Sequence, residues 1–523
     1  MIRLTTNIIV GLTFFLALVW LLRKAYSYYS RLPLPPGPLK LPLIGHLLQI
    51  PSSREHEVYR LWGEQYGSCS GIIHVETPGV SLLVINNAKA ASDLLEKRSR
   101  IYSDRPPAPM AVDLMGWNWN FGLLPYSDAW RSRRRVFLQS FNAQAAKLFR
   151  PHETKSAHLL LTRLRESPEN FLVHLRYHAV RTIMSVAYGI EVKGENDPWV
   201  ALVEAAVKPV IDAIVPGAFL VDSFPFLKHV PSWVPGAGFK RKAQKWKEMA
   251  LSMVNRPFAA GKEMMHSDKY IPSFISRSLQ DLDDSSADYE EKETCIRQAA
   301  GVIYAAGVES SAAALSSFLF AMTISPEAQC KAQEEIDRVA PGRLPTFEDE
   351  QSMPYVTAVV WESLRWKNVA PLGAAHYLDV EDEYEGHRIP KGTVVISNLW
   401  AILHDESLYP EPFEFKPERY FKAGSETEFD ETVKDPRFAV FGYGRRICPG
   451  RHMAYSSLWI SIASILKTFN ISKAVDEHGN VIEPVYEAKS SILAMPSPFE
   501  FSMKPRSAEA EELIATASNG LEV

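Results

Sequence analysis

The chain has 523 residues, of which 46% are hydrophobic and 23% charged, so it can bury a large core and does not have a disordered composition. The formal net charge of -4 leaves no broad basic field, which disfavours nucleic-acid binding. The four cysteines are widely separated, which excludes Cys-x-x-Cys zinc or dithiol sites and favours a reducing compartment facing the cytosol.

The N-terminus predicts a membrane anchor. Residues 4–22 carry no charge and are long enough to span a bilayer as one helix. Arg23, Lys24 and Arg31 follow the apolar run with no small-residue cleavage site, which favours an uncleaved anchor over a secretory signal. Positive charge after the span places the rest of the chain in the cytosol.

A hinge, one large domain and a tail follow the anchor. Residues 23–45 are basic at first and then too rich in proline for a helix or a central strand, which predicts a stiff hinge. No linker interrupts residues 46–505, so we expect a single large domain there. The tail, 506–523, is rich in alanine, glutamate and serine and is predicted to be flexible.

Hydrophobic periodicity within the domain predicts a mainly α fold with a smaller β portion. Two apolar runs between residues 70 and 86 flank Thr77-Pro78-Gly79 and read as a β-hairpin. Short strands are predicted again near 376–396. Helical patterns cover 142–166, 170–190, 198–214, 239–264 and 289–323.

A lone cysteine near the C-terminus carries the strongest chemical signal. Cys448 lies in a glycine-rich loop, with Gly442, Gly444 and Gly450, just before an apolar helical stretch. Glycines let backbone N–H groups approach the sulfur, and the N-terminus of the following helix favours negative charge. The pattern therefore predicts that Cys448 is a thiolate and a metal ligand.

The same segment resembles the haem-ligand signature of the cytochrome P-450 family, Phe-x-x-Gly-x-Arg-x-Cys-x-Gly. All five fixed positions match, at Phe441, Gly444, Arg446, Cys448 and Gly450. The resemblance implies the P-450 fold and a haem b whose iron is bound axially by the Cys448 thiolate. The implied cofactor-binding residues of this loop are Phe441, Gly442, Arg446, Cys448 and Gly450.

The long apolar helix over 293–323 is interrupted by a short polar run that resembles the family's oxygen-activation motif, Ala306-Gly307-Val308-Glu309-Ser310-Ser311. The resemblance implies that Glu309 and Ser310 are catalytic and pass protons. Ser310 replaces the usual threonine, keeping the hydroxyl but losing the methyl group that restricts its rotamers. A solvated helix face is the alternative interpretation.

The resemblance implies a role for two further groups of residues. Trp130 and Arg134 share a helix face, and the family pattern implies that they bind the haem propionates together with His376 and Arg446. Glu362 and Arg365 share another face. By themselves they read as a surface ion pair, but Pro417-Glu418-Arg419-Tyr420 resembles the element that completes the family's buried Glu-Arg-Arg triad, with tyrosine for the usual phenylalanine. The implied role of this triad is structural.

The implied activity is oxidation of a hydrophobic small molecule, with dioxygen as oxidant. The closest resemblance is to membrane-bound enzymes of fungal secondary metabolism, which implies a terpenoid or polyketide substrate and the endoplasmic reticulum membrane. No nicotinamide or flavin site is visible. Electrons are therefore expected from NADPH through a cytochrome P-450 reductase, with cytochrome b5 as a further partner. Two alternatives remain: a haem-thiolate isomerase or dehydratase, and a non-catalytic membrane haem-binding protein.

Overall fold

The computed structural model describes residues 32–519, apart from 68–69, 195, 216, 269 and 489–491. The predicted anchor at 4–22 and the first part of the predicted hinge lie outside the described residues. The rest of the hinge lies along the body of the protein, where the carbonyl groups of Pro33 and Pro36 accept hydrogen bonds from the N–H groups of Arg388 and His74, both at 2.8 Å.

Helices dominate the described residues. The longer ones are, in chain order, α1 (Glu55–Tyr66), α2 (Asp128–Phe141), α3 (Arg150–Glu166), α4 (Phe171–Tyr188), α5 (Pro198–Ala213), α6 (Gly238–Met264), α7 (Phe274–Gln280), α8 (Tyr289–Ile324), α9 (Pro326–Val339), α10 (Pro354–Trp366), α11 (Arg451–Thr468) and α12 (Ala508–Asn519). Short helical segments cover Ala88–Ala91, Ser92–Lys97, Ser99–Tyr102, Pro109–Leu114, Ala145–Phe149, Pro168–Asn170, Leu220–Ser223, Pro225–His229, Phe347–Ser352, Leu399–Leu403, Pro417–Tyr420, Arg437–Val440 and Gly444–Arg446.

The β portion is small. Its strands are β1 (Ile72–Thr77), β2 (Val80–Ile85), β3 (His376–Tyr377), β4 (Asp382–Tyr384), β5 (His387–Ile389), β6 (Thr393–Ser397), β7 (Phe469–Lys473) and β8 (Phe501–Pro505). One sheet has the order β1-β2-β6-β3, and β4–β5 and β7–β8 form separate pairs. The predicted hairpin is β1–β2, closed by Gly79 at a φ of 81°.

The predicted helices match the structure to within a few residues at α4, α5, α6 and α8. The helix predicted over 142–166 differs, because α3 begins only at residue 150. The side chain of Asn142 accepts hydrogen bonds from the N–H groups of Gln144 and Ala145, both at 3.0 Å. The chain therefore forms a turn before α3 begins.

The core is built around α8. This helix packs against α2, α4, α6, α10 and α11, and its buried residues belong to both large hydrophobic clusters. In the part of the chain that the structure describes, α8 is the one helix long and apolar enough to cross a membrane, and most of it is buried inside the protein. Burial of that kind is what a central core helix requires.

The C-terminal region differs from the predicted flexible tail. Residues Ala508–Asn519 form α12, which packs against α3, α11 and β8. Ile514 is fully buried and Ala510 nearly so. Alanine and glutamate are good helix formers, and this short apolar stripe is enough to fix the helix on the body.

A fully buried carboxylate, Glu362, connects α10 to the irregular chain that follows it. Arg365 donates to it through Nε and Nη2, at 2.8 and 2.7 Å. Arg419 Nε, the Lys416 N–H and the Tyr420 hydroxyl donate at 3.1, 3.0 and 3.0 Å. Burial raises the pKa of Glu362, but the two guanidinium groups outweigh it and bring the pKa below its usual value.

The two arginines also bind the backbone of the segment 403–414. Arg365 donates to the carbonyl groups of Leu403 and Pro412, both at 2.8 Å, and to that of Glu414 at 3.2 Å. The carbonyl groups that accept from Arg419 are those of Pro410, Glu411 and Glu414. The predicted triad is therefore present, and Tyr420 adds a hydroxyl donor to it.

A second buried carboxyl group lies between α3 and α11. Glu153 is fully buried, and its Oε1 accepts a hydrogen bond from Ser456 at 2.9 Å. Its Oε2 is buried without a hydrogen-bond partner among the described residues. Burial raises the pKa of Glu153 from 4.5 to about 8, opposed by Ser456 and Arg150.

We expect Glu362→Gln to lower the free energy of unfolding by about 3–5 kcal/mol, because two buried guanidinium groups lose their carboxylate. Tyr420→Phe removes one of five donors and should cost about 1.5 kcal/mol. Urea unfolding followed by circular dichroism measures both values. Glu411→Gln, at an exposed position, is the control and should stay within about 0.5 kcal/mol. A Glu362→Gln protein as stable as the control would show that the Glu362 carboxylate does not stabilise the fold through Arg365 and Arg419.

Glu153→Gln should flatten the dependence of stability on pH. Above the ordinary pKa of 4.5 the unfolded chain loses the Glu153 proton while the folded protein keeps it up to about pH 8. The wild type therefore loses up to about 1.4 kcal/mol per pH unit in this window, and the variant does not. Thermal unfolding at several pH values between about 5 and about 8 measures the slope. Glu166→Gln, on the exposed end of α3, should keep the wild-type slope, and equal slopes in all three proteins would refute the assignment.

Candidate functional site

The loop before α11 holds Cys448 in a fixed position. The Cys448 N–H donates to the carbonyl of Phe441 at 2.8 Å, which closes the loop. Gly444 has a φ of 54°, and a Cβ there would lie 2.2 Å from the carbonyl oxygen of Leu95, so only glycine fits. Gly450 occupies the N-cap position of α11, two residues after the cysteine.

The surroundings of Cys448 favour the thiol over a free thiolate. Its side chain is partly accessible, yet the protein packed around it raises the pKa of the thiol by burial. The Gly450 N–H and the charges of Arg134 and Arg451 oppose that rise without cancelling it. The glycines and the helix end thus contribute less than the sequence suggests. A metal cation at the sulfur would supply the remaining stabilisation of the thiolate.

Three guanidinium groups gather beside this loop, and we call them the arginine cluster: Arg105, Arg134 and Arg446. Arg134 Nη2 donates to the carbonyl of Ile447 at 2.5 Å, next to Cys448. Burial lowers the pKa of Arg134 and Arg105 to about 10 and that of Arg446 to about 9. Arg134 also lowers the pKa of the other two through its charge. The cluster therefore favours anionic partners.

Each arginine of the cluster is held by backbone carbonyl groups. Arg446 binds Ser103 O at 2.7 Å, Leu124 O at 2.8 Å and Phe121 O at 3.2 Å. Arg105 binds Gly122 O at 2.9 Å and Ala374 O at 3.0 Å. These contacts fix the directions of the guanidinium groups without supplying a negative charge. The nearby Asp104 opposes the fall in the pKa of Arg105 and Arg446 but does not cancel it.

Trp130 lies within the same cluster. The guanidinium carbons of Arg446 and Arg134 lie 4.6 and 5.5 Å from the centre of its ring. Its indole N–H is buried and has no hydrogen-bond partner among the described residues. A buried donor beside positive charges that are only partly compensated fits the carboxylate groups of a haem, with Cys448 as the sulfur ligand.

His376 is also adjacent to the cluster. Its Nδ1–H donates to the carbonyl of Tyr102 at 2.7 Å, and burial together with Arg105 lowers its pKa to about 3. Neutral His376 thus presents only an acceptor at Nε2. Donation to a propionate would require that the propionate charge first raise this pKa and bring a second proton to the ring.

The polar run predicted on α8 forms a notch in the middle of the core helix. Ala306 is exposed although most of its helix neighbours are buried, so this face borders open space. A Cβ at Gly307 would lie 2.6 Å from Ile183 Cδ1 of α4, which requires a small residue. The Ser310 hydroxyl donates to the carbonyl of Ala306 at 2.7 Å. Glu309, Ser310 and Ser311 are partly buried, so this face is neither fully solvated nor part of the closed core.

Glu309 points toward α4 and pairs with a residue that the sequence does not single out. Its Oε1 lies 3.5 Å from Nε of Arg176, which is itself one third exposed. Burial raises the pKa of Glu309, with Arg176 opposing and Glu204 adding to the rise. No local motif marks Arg176, which lies more than 130 positions away along the chain, so sequence reasoning could not find this pair.

Two segments rich in aromatic residues, 115–121 and 217–235, lie in different surroundings. Trp117 and Trp119 are buried and stacked, with ring centres 5.0 Å apart, and the ring of Trp119 covers Gly301 of α8. Most aromatic residues of the second segment are exposed instead, among them Phe226 at 68% and Trp233 at 80%, whereas Phe219 is partly buried. The first segment is thus part of the core near α8, and the second is mostly surface.

The predicted site residues come from elements that pack together. Helix α8, with Glu309 and Ser310, contacts both α2, which carries Trp130 and Arg134, and α11, which follows Cys448. The structure thus assembles a sulfur donor, an arginine cluster and a polar notch around the central helix. The Cys448 sulfur and the arginine cluster can bind an acidic cofactor, and Glu309 and Ser310 of α8 can supply protons to it.

Comparisons with known proteins agree with this geometry. Residues 35–503 match the family model described as Cytochrome P450. Cytochrome P450 monooxygenase 98 of Postia placenta is 42% identical over 520 residues, covering 99% of this chain and 98% of the relative. Cytochrome P450 monooxygenase ple1 of Rhodocybe pseudopiperita is 42% identical, covering 92% and 91%. Tryptamine 4-monooxygenase of Psilocybe cyanescens is 39% identical, covering 94% and 98%.

The matched family uses a haem whose iron is ligated by a cysteine thiolate, and several of the relatives are named as monooxygenases. Similarity of this degree extends over more than nine tenths of the chain. The protein therefore belongs to the cytochrome P450 family and is an oxygen-incorporating oxidoreductase.

Proposed function

We propose that the protein is a haem-thiolate monooxygenase that oxidises a hydrophobic small molecule of fungal secondary metabolism, with Cys448 as the axial ligand of haem b. The observation that carries the proposal is the arginine cluster beside the Cys448 loop, with the partnerless indole N–H of Trp130 inside it. This arrangement suits an acidic cofactor with a metal at the sulfur. When bound, haem iron with a thiolate ligand supplies the activation of dioxygen.

The residues around the cofactor have distinct roles in this proposal. Phe441, Gly442 and Gly450 surround the sulfur, and Trp130 and the arginine cluster hold the propionates. His376 joins them once it is protonated. Since Arg446 and Arg105 also bind carbonyl groups of the 121–124 loop, they fix that loop relative to the cofactor.

Glu309 and Ser310 are proposed to move protons. The raised pKa of Glu309 lets this group exchange a proton nearer to neutral pH than an exposed glutamate does. Its partner Arg176 is partly exposed, so the Glu309 carboxylate can alternate between the ion pair with Arg176 and an orientation toward the notch. The Ser310 hydroxyl has a second role as a donor to Ala306 and must rotate to serve an oxygen ligand.

Electrons are proposed to come from NADPH through a cytochrome P450 reductase, with cytochrome b5 as an additional donor. Arg131 and Arg135 on α2 are exposed on the helix that also carries Arg134, and they favour an acidic flavoprotein.

The proposed substrates are terpenoids and polyketides. One relative is named as a tryptamine 4-monooxygenase, which makes an aromatic amine the second class to test. The buried side chains of segment 115–121 are apolar or aromatic and favour either type of ring system, namely Met115, Trp117, Trp119 and Phe121.

We also propose a single-pass attachment to the endoplasmic reticulum membrane through residues 4–22. Exposed apolar side chains support it, namely Leu39, Leu43, Leu47, Leu48, Leu220, Phe224, Phe226 and Trp233. The leucines of 39–48 and the apolar residues of 220–233 lie near the same turn, the one between β1 and β2. The His46 N–H donates to Glu76 O at 2.7 Å, and a Cβ at Gly79 would lie 3.8 Å from Ser223 O. Exposed apolar side chains on both sides of one turn suit a lipid headgroup boundary.

The function is tested by reconstituting the full chain with a fungal reductase, NADPH and labelled dioxygen. We expect one labelled oxygen atom in the product from a terpenoid, polyketide or tryptamine panel, and a ferrous–carbon monoxide absorption band typical of thiolate ligation. Cys448→Ala should abolish both. Cys330→Ala, at an exposed cysteine, is the matched control and should keep both.

Conversion of a substrate without NADPH or reductase would instead support the isomerase or dehydratase alternative. Haem binding with no spectral response to any apolar ligand would support the non-catalytic one. Loss of the carbon monoxide band in Cys330→Ala but not in Cys448→Ala would overturn the ligand assignment.

The membrane proposal is tested by vesicle sedimentation. The full chain should remain bound after alkaline washing, and a chain lacking residues 1–31 should bind reversibly through the apolar surface. Adding Leu43→Ser, Phe226→Ser and Trp233→Ser should weaken that residual binding more than about tenfold, because each buried apolar side chain contributes about 1.5–3 kcal/mol. Leu148→Ser, Phe413→Ser and Val475→Ser, exposed on other elements, are the control. Equal binding by the two triple variants would contradict the surface.

A further inference from the structure

Glu153 and Ser456 connect α3 to the helix that follows the cysteine loop. The Ser456 hydroxyl lies 2.9 Å from Oε1 of Glu153 and 3.1 Å from the carbonyl oxygen of Met453 in the first turn of α11. Met453 is buried in the same hydrophobic cluster as Phe137, and the Phe137 ring lies 3.9 Å from the place that a Cβ of Gly450 would occupy. The contact at Ser456 therefore reaches the N-cap of α11, at the end of the cysteine loop.

The position of Glu153 suits a neutral carboxyl group and not a carboxylate. The side chain is fully buried, one hydroxyl donates to it, and its Oε2 has no hydrogen-bond partner among the described residues. Arg150 opposes the effect of burial through its charge, but its guanidinium lies 4.0 Å from the carboxylate of Glu350 instead. An ionised Glu153 would thus be a buried charge without a close partner, which is strongly unfavourable.

Three histidines on α3 and on the helices packed against it are neutral at neutral pH. Burial lowers the pKa of His178 on α4 to about 4. It also lowers the pKa of His152 on α3 and of His452 on α11 below the usual 6.5. The charged groups there are cations that keep their charge in this range, namely Lys147, Arg150, Arg181 and Arg451. Above about pH 6.5, Glu153 is therefore the group of this set that can lose a proton.

We propose that Glu153 is a positioning residue for the axial ligand: as a neutral acid it holds α11 against α3 and keeps the Cys448 loop in place, and loss of its proton loosens that loop. The inference rests on the proposed role of Cys448 as the haem ligand. Because a carboxylate is far more stable in water, ionisation favours an open state in which the first turns of α11 separate from α3.

The sign of the pH dependence follows from proton binding. Between pH 4.5 and about pH 8 the closed state keeps the Glu153 proton, whereas the open state, with its carboxyl group in water, has lost it. The population of the open state therefore rises with pH in this window and levels off above it.

The rate of haem transfer from the reconstituted full-length protein to excess apomyoglobin measures the open population. For the wild type we expect the rate to rise by up to about tenfold per pH unit between about pH 6.5 and about pH 8. Glu153→Gln is a neutral isostere that cannot titrate, so it should lack this rise and release haem more than about tenfold more slowly than the wild type at about pH 8. Glu166→Gln, at the exposed end of α3, should keep the wild-type slope.

Two further measurements separate positioning from a merely structural role. Ser456→Ala removes the hydrogen bond but leaves the acid, so it should speed haem transfer at every pH and keep the wild-type slope. Amide hydrogen exchange, corrected for its intrinsic pH dependence, should rise with pH in peptides over 448–458 of the wild type but not of Glu153→Gln. The ferrous–carbon monoxide band of thiolate ligation should decline over the same pH range in the wild type and persist in Glu153→Gln.

Equal slopes in the wild type and Glu153→Gln would overturn the proposal, as would a difference in slope without a difference in exchange over 448–458. If Glu153→Gln fails to bind haem, Glu153→Leu takes its place. It also lacks a titratable group, and a wild-type slope in this variant would refute the role of Glu153 equally well. A wild-type protein without the thiolate band at any pH would instead contradict the proposed function.

Discussion

Glu362 is the group on which the packing of segment 403–414 depends. Segment 403–414 runs without regular structure for most of its length, so its carbonyl groups need donors from elsewhere. Arg365 and Arg419 supply these donors, and two buried guanidinium groups are tolerable only beside a carboxylate. Five donors in turn keep that carboxylate ionised in the interior. One charge on α10 therefore shapes the chain that leads to the Cys448 loop.

Around the Cys448 loop the balance of charge is the opposite, because buried positive charges are in excess there. The arginine cluster brings three cations together in a buried place where they lower one another's pKa, and Cys448 lies where burial disfavours its thiolate. Each of these groups is more stable beside a partner of opposite charge, the arginines beside carboxylates and the sulfur beside a metal cation. Binding of a haem and stability of this region are thus coupled: the same contacts serve both.

Local patterns in the sequence predict much of this architecture. The helices at α4, α5, α6 and α8 and the hairpin β1–β2 follow from periodicity, and the Cys448 loop follows from a compact motif. Residues that act across long sequence distances escape such reasoning. Arg176 beside Glu309, the Tyr420 hydroxyl on Glu362 and Ser456 on Glu153 are set by tertiary packing, which no short pattern encodes. Membrane attachment through residues 4–22 stays a prediction.

Helix α12 lies beyond residue 503, where the match to the family model ends, yet its Ile514 is fully buried against the body. The boundary of the family model and the boundary of the folding unit are therefore different here. A chain trimmed to the residues that the family model matches would uncover apolar surface on α3 and α11, the helix that follows the cysteine loop. A helix outside the pattern shared by the whole family can thus become part of the hydrophobic core.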